Sequence, residues 1–229
     1  WIYSAQVDSF DEMTNIKKDI RVLLSEYFTI PRLGVVATEN SRDGCCKFLF
    51  ELSDGNHIES VLIPERTHDT LCISSQVGCA MGCVFCATGQ MGLRRHLTAG
   101  EIVSQVLTFE RRLRDQGSKL TNIVFMGMGE PLHNYDATLA AVRRLIDPDG
   151  LNMGARRLTI STVGLVPRIL QLADENIQVG LAISLHAATD EERKKLLPAT
   201  RRWPLDELLA AARVYSETTG RRITFEWAL

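Results

Sequence analysis

The chain has 229 residues, 45% of them hydrophobic and 24% charged, and a formal net charge of −2. This balance excludes a disordered segment and a broadly basic nucleic-acid or lipid binder, so any RNA contact has to come from a local patch. No apolar run reaches the roughly 18–20 residues of a membrane span, so no membrane partner is expected.

The N-terminus, Trp1-Ile2-Tyr3-Ser4-Ala5-Gln6, lacks the basic-then-apolar pattern of an export signal, and the expected location is cytoplasmic. Ser9-Phe10-Asp11-Glu12 has capping-box spacing, and Ile16, Ile20, Leu23, Leu24 and Tyr27 recur on one face of a predicted helix. Beyond Pro31, short β-like runs follow at 33–38, 45–52 and 57–63. Asp54-Gly55 between the last two is a hairpin signal. Residues 1–66 therefore read as a small α+β appendage. From residue 70 the texture becomes strand, loop, helix, repeated. Strands are predicted at 70–74, 122–126, 157–162, 179–185 and 222–227, and helices at 98–114, 136–146, 166–176 and 204–218. Alternating units with continuous apolar strands predict a parallel sheet over 67–229, either doubly wound or rolled into a barrel. The chain starts without Met and stops just after a fifth such strand, so a piece of a longer protein is expected.

Three of the six cysteines fall in one loop, Gly78-Cys79-Ala80-Met81-Gly82-Cys83-Val84-Phe85-Cys86-Ala87-Thr88-Gly89. The loop follows the first strand of the β/α series, where parallel-sheet enzymes carry ligand-binding loops. Three thiolates at this spacing suit three irons of a [4Fe–4S] cluster, with the fourth iron left open because no cysteine follows downstream. A structural zinc site wants two ligand pairs. Cys83-Val84-Phe85-Cys86 is one pair, but even with His96 as a helper zinc leaves Cys79 unexplained. A thioredoxin-like pair also leaves Cys79 idle. Cys72, inside the preceding strand, is poorly placed as a fourth ligand, and Cys45-Cys46 read as strand filling.

Gly127-Met128-Gly129-Glu130-Pro131 ends the second strand of the series. Its glycines permit close backbone approach to a ligand and Glu130 can accept from a ligand ammonium, although a plain Gly-rich turn looks the same in isolation. Ser161 ends the third strand and Ser184-Leu185-His186 the fourth, so polar groups close apolar strands at one rim. Serine also caps strand ends in ordinary structures. Glu59 lies in an alternating strand, where the residues alone predict a solvent-facing side chain. Basic pairs are modest and read as solvated faces, with Arg94-Arg95 best placed to reach a phosphate.

Cys79, Cys83 and Cys86 at this spacing, with an aromatic before the third, resemble the signature of the radical S-adenosylmethionine (SAM) superfamily. Five segments in order make the resemblance narrower. These are residues 72–79, 86–92 and 125–132, then Thr159-Ile160-Ser161-Thr162 and Ala182-Ile183-Ser184-Leu185-His186-Ala187. Together they resemble the ribosomal and transfer RNA adenine-C2 methyltransferase family across nearly the whole chain.

The resemblance implies an α/β fold, a partial parallel (β/α) barrel with a small N-terminal α+β appendage. It implies one [4Fe–4S] cluster on Cys79, Cys83 and Cys86, and S-adenosyl-L-methionine held by Gly129, Glu130, Ser161, Ser184, Leu185 and His186. The implied reaction is methylation of an adenine C2 in 23S rRNA, with tRNA as a second candidate substrate and an electron donor serving the cluster. Glu59 matches the base that removes the C2 proton, so its strand is expected over the barrel mouth. Cys72 matches a cysteine that pairs transiently with a methyl-carrying cysteine. That partner, with part of the SAM pocket, is expected beyond residue 229, making this a C-terminally truncated chain. One alternative is the related adenine-C8 methyltransferase, against which Gln90-Met91-Gly92 fits the C2 branch better. The other is a non-catalytic, zinc-dependent RNA-binding module.

Overall fold

A computed structural model describes residues 1–115 and 117–228. Helix α1 (Lys18–Tyr27) follows a separate 3₁₀ turn at Phe10–Glu12. The capping box forms, with Glu12 Oε1 accepting the Ser9 N–H at 2.8 Å, but it closes the 3₁₀ turn and not the helix. The expected apolar face does not pack: no residue of α1 is buried, and Ile20, Leu23 and Tyr27 are exposed. Val7, Phe10 and Met13 make a small core of their own, against which only Ile16 and Leu24 of the predicted stripe rest.

Strands β1 (Gly34–Asn40), β2 (Cys46–Glu51) and β3 (His57–Pro64) form an antiparallel meander. The β2–β3 turn is the one Asp54-Gly55 signals, with Asp54 Oδ1 accepting the Asn56 N–H at 3.1 Å. Strand β3 then pairs antiparallel with β4 (Asp69–Cys72), Val61 lying opposite Cys72. The ladder therefore runs unbroken from the predicted appendage into the β/α series. A separate two-stranded ribbon follows, β5 (Gln76–Gly78) against β6 (Leu93–His96), with the short helix α2 (Ala87–Gln90) between them.

Helix α3 (Ala99–Asp115) leads to β7 (Asn122–Phe125), and α4 (Tyr135–Ile146) to β8 (Leu158–Thr162). Next come α5 (Val166–Asp174), β9 (Gly180–Ser184), α6 (Asp190–Leu196), α7 (Leu205–Thr219) and β10 (Ile223–Glu226). Strands β4, β7, β8, β9 and β10 are parallel neighbours in that order. Right-handed crossovers between strands kept in chain order place α3, α4, α5 and α7 on one face, which selects the barrel-type arrangement over the doubly wound one. Ile102, Val106 and Phe109 of α3, Val142 and Leu145 of α4, Ile169 of α5 and Leu208 of α7 bury in one core with Leu71, Ile123, Leu158 and Ile160 of the sheet.

Side chains alternate across a strand, so the other face of the sheet follows from the register. Cys72 is level with Val61 and Val124, Val124 with Thr159, and Glu226 with Ser184. Glu59, Cys72, Ser161, Ser184 and Glu226 therefore all stand on the helix-free face, each of them half-buried.

Candidate active site

The cysteine loop is held at its neck and at its crown. At the neck, the Cys79 N–H donates to Gly92 O at 3.1 Å. Gly78 makes that closure possible: its φ is +74°, and a Cβ there would stand 1.8 Å from Gly92 O. At the crown, the Val84 N–H donates to Leu196 O at 3.0 Å, docking the loop on α6. Gln90 adds a bond from Nε2 to Cys83 O at 3.3 Å.

Cys79, Cys83 and Cys86 face one cleft of about 250 Å³, walled also by Phe85, Gly129, Glu130, Ser161, Ser184 and Glu226. It lies at the C-terminal ends of β7, β8, β9 and β10, where ligands sit in parallel-sheet enzymes. Burial pushes the Cys79 thiol up to about 11 and the Cys83 thiol to about 12, with the neighbouring sulfurs and the Glu130 carboxylate adding to the rise. Among the described residues, no three His, Cys, Asp or Glu side chains converge as the ligands of a single metal ion must. A mononuclear zinc site needs that convergence. A cubane does not, because each thiolate meets a different iron. Three thiols facing one cleft supply the three cysteine ligands that such a cubane takes.

Glu130 is buried and bridges two strand ends. Its Oε1 accepts the Leu132 N–H at 2.9 Å and its Oε2 the Val163 N–H at 2.8 Å. Burial pushes its carboxyl up to about 7, against those bonds and one from the Thr162 hydroxyl. Gly129, with φ +105°, turns the chain beside Gln76, whose Oε1 accepts the Glu130 N–H at 2.8 Å. The remaining lone pairs of the carboxylate are available to a cation in the cleft.

Leu185 and His186 are not part of the cleft wall. Their N–H groups donate to Glu226 O at 3.0 and 3.3 Å, which ties β9 to β10 beyond the last ladder pair. His186 has a left-handed φ of +59° and accepts the Ala228 N–H at Nδ1, leaving Nε2 as the protonated nitrogen. Phe85, the aromatic before the third cysteine, meets the His186 ring edge-on at 4.7 Å. Burial and the Arg193 charge hold His186 below the usual imidazole range.

Glu59 and Cys72 also lie outside the cleft wall, yet on its face of the sheet. Glu59 O accepts from Ser74 Oγ at 2.6 Å, and Glu59 Oε1 lies 3.3 Å from Lys47 Nζ. The Cys72 thiol is pushed up to about 11 by burial. Arg95 does not offer a free charge to phosphate: it grips Glu101 with two bonds of 2.8 and 2.9 Å and reaches Asp54 at 2.5 Å. Arg94 stays exposed and reaches Asn56 Oδ1 at 3.3 Å.

Two residues of the site carry no sequence signal. Glu226 enters the cleft because it lies opposite Ser184 in the last ladder, a pairing no local pattern predicts. Arg193 sits in the charged run Asp190-Glu191-Glu192-Arg193-Lys194-Lys195, which reads as a solvated helix face, yet it is fully buried.

The pattern defining the Radical SAM superfamily matches residues 73–226, and that of the ribosomal RNA large subunit methyltransferase N-terminal domain matches residues 1–30. A dual-specificity RNA methyltransferase RlmN 1 of Myxococcus xanthus is 55% identical over the whole chain, which spans 64% of that protein. A probable dual-specificity RNA methyltransferase RlmN of Staphylococcus aureus is 48% identical, and the chain spans 63% of it. A crystal structure of a radical SAM methyltransferase from Sphaerobacter thermophilus superposes with a TM-score of 0.95 at 51% identity, covering all of this chain and 67% of that one.

Proposed function

The chain belongs to the radical SAM superfamily, and from its similarity to RlmN RNA methyltransferases we propose that it is the catalytic part of an enzyme that methylates C2 of an adenine in 23S rRNA, with tRNA as a second substrate. The observation that carries this reading is the placement of three thiols, Glu130, Ser161 and Ser184 on one cleft, with Glu59 and Cys72 on the same face of one unbroken ladder. No helix among the described residues is long and apolar enough to cross a membrane.

Adenine C2 is an electron-poor carbon that does not attack a methylsulfonium as an amine would. A cluster on Cys79, Cys83 and Cys86, supplied with an electron by a donor, together with SAM provides the radical reactivity this requires. The chain's own residues position and protect. Glu130 accepts the SAM ammonium, Ser161 and Ser184 close the polar side of the cleft, and Phe85 supplies an apolar wall. Leu185 and His186 hold the rim by their backbone bonds to Glu226 and act behind the wall. Once a methylene has joined C2, the hydrogen there must leave as a proton, and the Glu59 carboxylate, oriented by Lys47, accepts it. Cys72, one pleat away on the same face, is the thiol placed to pair with a methyl-carrying cysteine supplied from outside this chain. The separation follows from the register, since Val61 faces Cys72 and Glu59 stands two residues from Val61.

The test is a turnover experiment under anaerobic conditions with the full-length protein, SAM, a reductant and 23S rRNA or tRNA transcripts, followed by mass spectrometry of the digested nucleosides. 2-Methyladenosine is the expected product. 8-Methyladenosine would move the protein to the C8 branch, and cluster-loaded protein that methylates neither RNA overturns the reading.

A further inference from the structure

Among the described residues Arg193 is the largest fully buried side chain, and it is a cation. Its guanidinium is bound almost entirely by main-chain oxygen. Nη2 donates to Val163 O at 2.6 Å and Ser184 O at 3.0 Å, Nε to Leu185 O at 3.2 Å, and Nη1 to Thr200 Oγ1 at 2.8 Å. The three carbonyls belong to the chain ends leaving β8 and β9, the same ends that carry the cleft residues Val163 and Ser184. Among the described residues no carboxylate lies within ion-pair distance of Arg193. Asp190, the acidic group that bears on it, turns its Oδ1 to the Leu205 N–H instead.

A buried cation with no adjacent anion is expensive to desolvate, and hydrogen bonds to neutral carbonyls offset only part of that cost. Mere clamping of two loops does not require a full charge. The charge lies behind the cleft wall, since Val163 and Ser184, whose carbonyls hold the guanidinium, line the cleft that Cys79, Cys83 and Cys86 face. The contact is also mechanical. The cysteine loop docks on the helix that carries Arg193 through Val84 N–H to Leu196 O at 3.0 Å.

We propose that Arg193 is a positioning residue for the iron–sulfur cluster, its buried charge standing opposite the cluster's negative charge and favouring the reduced state. This rests on the iron–sulfur reading of Cys79, Cys83 and Cys86. With three cysteinate ligands, the one-electron reduction takes a [4Fe–4S] assembly from a net charge of about −1 to about −2. The electron comes from the external donor, and no bond to protein forms or breaks. A fixed positive charge in a medium poorer in water than the surface stabilises the more negative partner.

The experiment is redox titration of the reconstituted full-length protein, wild type against Arg193→Gln and Arg193→Lys, with iron and sulfide assayed in each. Gln keeps an amide donor at the level of the Arg193 Nε, which bonds Leu185 O, and removes the charge. The ratio of reduced to oxidised cluster at a fixed potential should fall about tenfold, equivalent to a midpoint about 59 mV lower for a one-electron couple. Lys should restore most of the difference. Equal midpoints in wild type and Arg193→Gln, both cluster-loaded, overturn the proposal, and so does a Lys variant as low as Gln. Wild type that takes up no iron overturns the iron–sulfur reading itself, and this inference with it. Should Arg193→Gln not fold, Asp190→Asn reads the same charge from the other side. Removing the one acidic group that bears on the guanidinium should raise the midpoint, and no rise overturns the proposal.

Discussion

Glu130 reaches out of the loop after β7 and takes the backbone N–H of Val163, at the end of β8, on its Oε2 at 2.8 Å. One carboxylate thus fastens two neighbouring strand ends at the floor of the cleft while keeping lone pairs for a ligand. Glu130→Gln replaces one acceptor oxygen by a donor. It should lower the affinity for SAM by about 1.5–3 kcal/mol, the usual worth of a charge-assisted bond. Calorimetric titration of cluster-loaded protein measures it, and an unchanged affinity would remove Glu130 from the SAM site.

The same residue makes the ligand-free protein pH-sensitive. Burial raises its carboxyl from 4.5 to about 7, so the folded state holds this proton more tightly than the unfolded chain. The stabilisation is complete below the unfolded value and is lost as the pH climbs through about 7. Glu130 should therefore make the protein less stable at pH 8 than at pH 5, by at most about 3 kcal/mol. Urea denaturation at the two pH values should show a flatter dependence in Glu130→Gln. Parallel curves for the two proteins would contradict the assignment.

Cys79→Ala, Cys83→Ala and Cys86→Ala should each abolish the visible absorption of anaerobically reconstituted protein, while Cys45→Ala and Cys46→Ala should leave it intact. Full iron content in all three loop variants would show that the wrong thiols have been assigned.

Gly129→Ala should be destabilising despite its small size. Its φ of +105° disfavours any side chain, and the new Cβ would stand 2.6 Å from Gln76 Cβ. Gln76 is itself fully buried, so strain of about 1–3 kcal/mol is expected. Denaturant unfolding reads it directly. A variant as stable as wild type would mean the loop can turn without glycine.

Glu59→Ala, in the full-length protein, should leave cluster content and methyl loading intact and halt the reaction after the carbon bond to the adenine has formed. Losing a positioned base slows proton removal by about 10²–10⁴-fold. A long-lived covalent protein–RNA adduct should then appear as a shifted band on a denaturing gel. Normal turnover without such a band would reduce Glu59 to a strand residue paired with Lys47.

Much of this architecture was legible because the signals are local. The thiol spacing, the glycines before Glu130 and the serines at strand ends each lie within a few consecutive residues. The Asp54-Gly55 turn is equally short-range. What stayed hidden depends on partners distant in the chain. Strands β5 and β6 have 3 and 4 residues, too few to show a period, and they pair only because the Gly78–Gly92 approach brings them together. The antiparallel join of β3 to β4 placed Glu59 and Cys72 on one face, where alternation alone predicted a solvent-facing Glu59. Arg193 lies among charges that belong outside, and its burial follows from three carbonyls at the ends of other strands. The predicted stripe satisfied the helical period, yet only Ile16 and Leu24 of it found a surface to pack on, since periodicity specifies a face and not its partner.

The β3–β4 ladder has a consequence for how substrate must arrive. Main-chain pairing sets the spacing of Glu59 and Cys72, and Ser74 pins Glu59 O as well. Neither group can swing toward a base by a loop closing. If they act on an adenine as proposed, the travel belongs to the nucleic acid: the base must leave its stack and come to a rigid wall. An RNA whose target adenine is already unstacked, in a loop or bulge, then begins with a few kcal/mol in hand over the same sequence held in a duplex.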